Sequence, residues 1–157
     1  MAKEVERKFL VKSNSWQEQA QSRIAILQFY LAITAERSVR VRISNGGEAR
    51  LTLKFGSDLS ARDEFEYDIP LDDAKEMQAF ALGTTIVKAR YNVPHDGYLY
   101  EVDVFAGVLD GLVVAELETP DRVADGALPE WLGPEITGDI RYSNASLALN
   151  GFPGDTR

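Results

Sequence analysis

The sequence contains no cysteine and a single histidine, His95. The first absence excludes a disulfide framework, a thiolate metal centre and a cysteine nucleophile. The second excludes a multi-histidine zinc site and disfavours Ser-His-Asp chemistry, because His95 lies in the turn-like run NVPHDG and reads as an ordinary loop residue. Long apolar runs are also missing. Nowhere do eighteen apolar residues follow one another, and the first residues lack the apolar stretch of a secretory signal. The expectation is a soluble, cytoplasmic protein with no membrane partner. Cations are the minority, with 17 Lys and Arg against 25 Asp and Glu and a net charge of -8. A field of that sign repels phosphate backbones at long range, which excludes a general nucleic-acid binder. No Pro/Gly/Ser-rich linker, repeat or low-complexity tract interrupts the 157 residues. The chain therefore reads as one domain over 1–157, with about 152–157 a flexible tail. A monomer and a homodimer are equally compatible with this.

What is abundant is alternation of period two, the signature of half-buried strands. It predicts eight strands, at about 3–11, 25–33, 37–44, 49–56, 62–69, 85–92, 98–106 and 112–119. Asn45-Gly46-Gly47 between the third and fourth can take the positive φ angles of a hairpin turn. Helices are predicted from Ser13-Asn14-Ser15 to about Arg23, from Pro70 to about Leu82, briefly from Thr119-Pro120-Asp121, and over Asn144 to Asn150, ending at Gly151. Trp16, Phe80 and Trp131 read as anchors that fix helical segments to the sheet.

The charged residues fall on one face of each strand. The opening run EVERK puts Glu4, Glu6 and Lys8 together and leaves Arg7 on the opposite side without an assigned function. The others are Arg40/Arg42, Arg50/Lys54, Arg62/Glu64/Glu66/Asp68, Lys88/Arg90, Glu101/Asp103 and Glu116/Glu118. Gln28 and Tyr30 give the second strand a milder polar face. Two architectures share this pattern: a sandwich with charges in water, and a closed barrel with charges pointing inward and apolar residues outward. The signs, however, are segregated into basic pairs and acidic pairs. A solvated surface intersperses them, since like charges on neighbouring sites repel. Segregation points to ligands of both signs.

Assembled in order, these residues resemble the CYTH domain, also called the triphosphate tunnel metalloenzymes, in its short bacterial stand-alone form. Glu4-Val5-Glu6-Arg7-Lys8 matches the family's ExExK signature. QFYL (28–31), VRVR (39–42), LTLK (51–54), RDEFEYDI (62–69), VKARY (87–91), EVDVFAG (101–107), AELE (115–118) and TGDIRYSNASLA (137–148) continue it over nearly the whole chain.

The resemblance implies an α+β fold, an eight-stranded antiparallel closed β-barrel with a charged interior and helices packed outside. It implies a triphosphate grip made by Lys8, Arg40, Arg42, Lys54, Lys88, Arg90 and Arg141. Glu4, Glu6, Glu116 and Glu118, with Asp103 or Glu101, would hold one or two divalent cations, Mg2+ or Mn2+. Lys54, Tyr30 and Glu6 would act on the reacting phosphate. One residue departs from the pattern: Ile140 stands where many members carry a second basic residue. The implied activity is hydrolysis of a small-molecule triphosphate, inorganic tripolyphosphate first. The alternatives are a class IV adenylate cyclase or a nucleoside or thiamine triphosphatase, and, in another class, a phosphate-binding sensor without turnover.

Overall fold

A computed structural model describes residues 5–58 and 61–154. Glu4, the first glutamate of EVERK, lies outside the described residues. Nine strands form one antiparallel sheet: β1 (Val5–Val11), β2 (Ser22–Ile33), β3 (Arg37–Ser44), β4 (Glu48–Phe55), β5 (Asp63–Ile69), β6 (Leu82–His95), β7 (Tyr98–Phe105), β8 (Val113–Thr119) and β9 (Leu132–Glu135). Their order is β5-β4-β3-β2-β6-β7-β8-β1-β9.

The expected closed, eight-stranded barrel is corrected in two respects. There is a ninth strand, and the hydrogen-bonded order is open, with β5 and β9 at its ends. The cause lies at the outer edge of β1, which a closing strand would need. Lys12 N donates to Trp131 O at 2.9 Å, Ile136 N to Lys8 O at 2.8 Å, and Lys8 N to Thr137 Oγ1 at 2.9 Å. The 131–137 segment thus satisfies β1's free backbone groups, and β5 remains a separate edge.

Sheet polarity follows the second architecture, with charge inside. Two apolar clusters lie on the convex side. Phe9, Trp16, Tyr100, Val102, Leu117 and Trp131 form one over β1, β7 and β8. Phe29, Val41, Ile43, Ala49 and Ala74 form the other, where α1 (Leu71–Met77) covers β2 to β4. A third cluster joins Tyr30, Ile86, Phe105 and Val114 to Tyr142, Leu147 and Ala148 around α2 (Asn144–Asn150). Trp16 and Trp131 are buried as anchors, whereas Phe80 is 74% exposed and anchors nothing. Arg7, on the outer side, pairs with both carboxylate oxygens of Glu135 at 3.0 and 2.8 Å and donates to Val123 O at 3.0 Å. Its role is to clasp β9 and the 120s segment to β1.

The first predicted helix is a 3₁₀ turn, Ser15–Gln19, because pairing with β6 takes over from Gln21 N onto Asn92 O and sets Ser22 opposite Asn92. The third shrinks to the 3₁₀ turn Asp125–Ala127. Asp121, the expected cap, instead accepts the Tyr98 hydroxyl at 2.9 Å. The hairpin turn and the last helix form where predicted: Asn45 and Gly46 have φ of 51° and 70°, and Ser143 Oγ caps Ser146 N ahead of Gly151. His95 ends β6 rather than lying in a loop, and the turn is the next pair, Asp96-Gly97. In the expected tail, Phe152 packs on the α2 cluster and Pro153 is buried. No helix among the described residues is long and apolar enough to cross a membrane.

Gly83 shows how closely α2 is seated. Its φ is +64°, and a Cβ there would lie 2.2 Å from the Ala148 carbonyl oxygen. Gly83→Ala is expected to cost about 1–3 kcal/mol. Thermal unfolding of the two proteins side by side measures this directly.

Candidate active site

The concave face encloses a cavity of about 210 Å³. Six cationic side chains and seven carboxylates line it. Arg40 and Arg42 come from β3, Lys54 from β4, Arg90 from β6, Lys8 from β1, and Arg62 from the segment before β5. The acids are Glu6 on β1, Glu116 and Glu118 on β8, Glu101 on β7, Glu64 and Glu66 on β5, and Asp139 after β9. Across the sheet the signs therefore run acidic at β5, basic at β4, β3 and β6, and acidic again at β7 and β8, with β1 supplying both Glu6 and Lys8. Strand register builds this, with Lys54 opposite Glu64, Lys8 opposite Glu116, Glu6 opposite Glu118, and Arg40 opposite both Tyr30 and Thr52. Tyr30 sits where the pairing of β2 shifts register on both sides, a bulge that re-aims side chains.

Two of the basic residues, Arg40 and Arg42, are poorly neutralised by protein. Arg40 is 6% exposed; its Nη2 donates to Thr52 Oγ1 at 3.2 Å and its buried Nε has no partner. Arg42 donates from Nε to Gln28 Oε1 at 3.0 Å. Burial, helped by the neighbouring Arg40 and Arg90 charges, brings its pKa down to about 10, so it remains cationic at neutral pH. Lys54 is likewise shifted down, chiefly by burial and then by Arg40. Among the described residues, neither Arg40 nor Arg42 has an ion-pair partner.

On the acidic side, burial and then the like charge of Glu116 push Glu6 up from the ordinary glutamate value. Glu101 is also raised, by burial first. For Glu116 the upward push of burial is outweighed by Lys8 and Arg90, and its pKa lies below the ordinary value. Lys8 Nζ stands 3.6 Å from Glu116 Oε1. All these donors are oxygens, the choice of a hard divalent cation. Among the described residues no three acids are gathered closely enough to hold a metal ion unaided. A small hard cation is commonly bound by one or two carboxylates, with phosphate oxygens and water completing the shell. The donor set fits such an ion.

Ten of the expected site residues thus share one cavity: Glu6, Lys8, Tyr30, Arg40, Arg42, Lys54, Arg90, Glu101, Glu116 and Glu118. Lys88 and Asp103 lie behind its wall, with side chains 0% and 2% exposed and 2.7 Å apart. Arg90 Nε and Nη2 bind the Asp103 oxygens at 2.7 and 2.9 Å. Of the expected alternatives, Asp103 or Glu101, Asp103 has both oxygens engaged by Lys88 and Arg90, whereas Glu101 lines the cavity. Arg141 is exposed on the 3₁₀ turn Ile140–Tyr142, bound to Asp139 at 2.9 Å, and does not line the cavity. Ile140 is 67% exposed. Arg62, Thr137 and Asn144 line the cavity unassigned by sequence. The RDEFEYDI alternation was the available signal for Arg62.

The pattern of the CYTH domain matches residues 2–152. The chain belongs to the CYTH domain family. Two relatives named inorganic triphosphatase are similar along nearly their whole length. That of Acetivibrio thermocellus is 38% identical, covering 97% of each chain. That of Nitrosomonas europaea is 37% identical over 94% of this chain and 97% of its own. The crystal structure of the inorganic triphosphatase NE1496 superposes with a TM-score of 0.71 at 33% identity, covering 98% of this chain and 99% of that one. A CYTH fold with an open strand order is therefore what the two ends of this sheet represent.

Proposed function

We propose that this protein hydrolyses inorganic tripolyphosphate to pyrophosphate and phosphate in the charged cavity, with Mg2+ or Mn2+ as cofactor. Arg40, buried, and Arg42, half-buried, two guanidinium groups without ion-pair partners among the described residues, carry this reading. Buried cations in such a state favour a polyanionic ligand, and Arg binds phosphate oxygens in parallel pairs. The relatives named inorganic triphosphatase support the same substrate class.

Lys8, Lys54 and Arg90 would extend the grip along the phosphate chain, fixed before it arrives and requiring no reorganisation as charge develops. Glu6 with one of the carboxylates Glu116 and Glu118 would hold the cation, which when bound supplies charge neutralisation on the phosphoryl oxygens. Lys54 and Tyr30 would lie beside the reacting phosphate, where Lys54 can donate to the departing pyrophosphate oxygen as water attacks phosphorus. Size favours the smallest substrate. A cavity of about 210 Å³ lined by one aromatic ring, Tyr30, and one aliphatic side chain, Ile136, has no apolar platform for a nucleobase.

The test is phosphate release from tripolyphosphate, pyrophosphate, ATP and thiamine triphosphate, with Mg2+, Mn2+ or a chelator. Tripolyphosphate is expected to be cleaved fastest, the chelator to stop release, and ATP to yield no cyclic AMP. Cyclic AMP formation would instead identify a cyclase, and binding without turnover of any substrate a sensor.

A further inference from the structure

Gln28, on β2, is 0% exposed and does not line the cavity, so it cannot touch a ligand there. Its two amide ends are nevertheless committed. Oε1 accepts from Arg42 Nε at 3.0 Å, and Nε2 donates to Asn144 Oδ1 at 3.0 Å. The same Asn144 oxygen accepts from Lys88 Nζ at 3.1 Å. Asn144 is the first residue of α2.

The polarity of this chain admits one solution. Arg and Lys only donate, so each terminal cation demands an acceptor. Lys88 therefore requires the oxygen of Asn144, the oxygen requires the NH2 of Gln28, and Gln28 is left presenting its oxygen to Arg42. Turning either amide would set donor against donor in a site with no water-exposed surface on Gln28, at the full cost of unmade buried hydrogen bonds.

We propose that Gln28 is a positioning residue for ligand binding: held by Asn144, it fixes the Arg42 guanidinium in its phosphate-gripping orientation and thereby keys α2 to the basic wall. This rests on the triphosphate reading of the cavity. It adds a control point outside the charged set, in a neutral pair, buried Gln28 and cavity-lining Asn144, joining the C-terminal helix to the ligand grip.

The test is a cycle of Gln28→Leu and Arg42→Ala in the full chain. Tripolyphosphate affinity is read calorimetrically in chelator, KM and kcat with Mg2+, and folding by thermal melt. Gln28→Leu is expected to raise Kd and KM about 10-fold, with kcat within about two-fold, and Asn144→Ala to move them in the same direction. In the Arg42→Ala background, Gln28→Leu should change Kd by less than about two-fold. An unchanged Kd in folded Gln28→Leu, or the same 10-fold loss with and without Arg42, overturns the proposal. Should the Leu variant melt early, Gln28→Met repeats the cycle with the length of the side chain preserved. Wild-type protein that binds tripolyphosphate without cleaving it would defeat the hydrolytic reading alone, and the affinity cycle would still decide this one. Wild-type protein that does not bind it defeats both.

Discussion

Glu6→Gln is expected to lower cation-dependent phosphate release by about 100- to 1,000-fold and to raise the melting temperature of the cation-free protein. Both effects have one cause. Burial, and then the neighbouring Glu116 charge, raise the Glu6 carboxyl above its ordinary value, so the folded chain holds this proton to higher pH than the unfolded chain does. Stability consequently falls as pH rises from the ordinary glutamate value through the raised folded value, and above that window the whole loss is in place. Glutamine keeps the shape and carries no charge, so the loss disappears along with the cation ligand. Melting curves at neutral pH in chelator, then with Mn2+, separate these consequences. The wild type should gain from Mn2+ by mass action, and Glu6→Gln should start higher and gain little. A variant that melts lower in chelator, or retains normal turnover, contradicts the assignment of Glu6.

The largest loss of stability is expected from Asp103→Ala, about 3–5 kcal/mol. The carboxylate lies between Lys88 at 2.7 Å and Arg90 at 2.7 and 2.9 Å, with Lys88 and Asp103 out of water and Arg90 facing the cavity. Burial alone would raise its pKa, but Lys88 and Arg90 outweigh burial and hold it well below the usual carboxylate range. Its stabilisation is thus present above the ordinary aspartate value and is lost only as pH falls through the depressed folded one. Removing it leaves the buried Lys88 and the inner edge of Arg90 without their counter-ion. Burial already draws the Lys88 ammonium down to about 7 against the pull of Asp103, and without that pull it would be neutral at physiological pH. Denaturant unfolding of Asp103→Ala measures the cost. A loss under about 1 kcal/mol, together with abolished Mn2+ binding, would return Asp103 to the ligand role that the family resemblance implies.

Much of this site was legible in the sequence because alternation places residues two apart on one face, and register then sets those faces side by side. Alternation set Glu6, Lys8, Arg40, Arg42, Lys54, Arg90, Glu101, Glu116 and Glu118 on the charged faces of their strands, and the family resemblance gathered them into one site. Alternation is symmetric with respect to inside and outside, so it could not choose between sandwich and barrel; the order of motifs did. Depth along a strand is equally invisible to a period of two. Glu101 and Asp103 share a face, but only the pairing of Arg90 with Asp103 and of Asn92 with Glu101 shows which one is sealed behind the wall. The open order could not be foreseen either. Leu132–Glu135 reads LGPE, with a glycine and a proline in four residues, and is a strand only because β1 offers it an edge. Gln28 and Asn144 carry no charge, and their importance lies in the direction of two amides, which composition does not record.

The account rests on a divalent cation and a triphosphate meeting in one cavity. A crystal of Lys54→Ala protein, slowed in turnover, soaked with Mn2+ and tripolyphosphate and measured at the manganese absorption edge, addresses this most directly. The predicted result is an anomalous peak among the carboxylates of Glu6, Glu116 and Glu118, with the phosphate chain running from it along Arg90, Arg42 and Arg40. Manganese bound elsewhere, or a triphosphate outside the cavity while Arg40 and Arg42 remain without an anion, would contradict it.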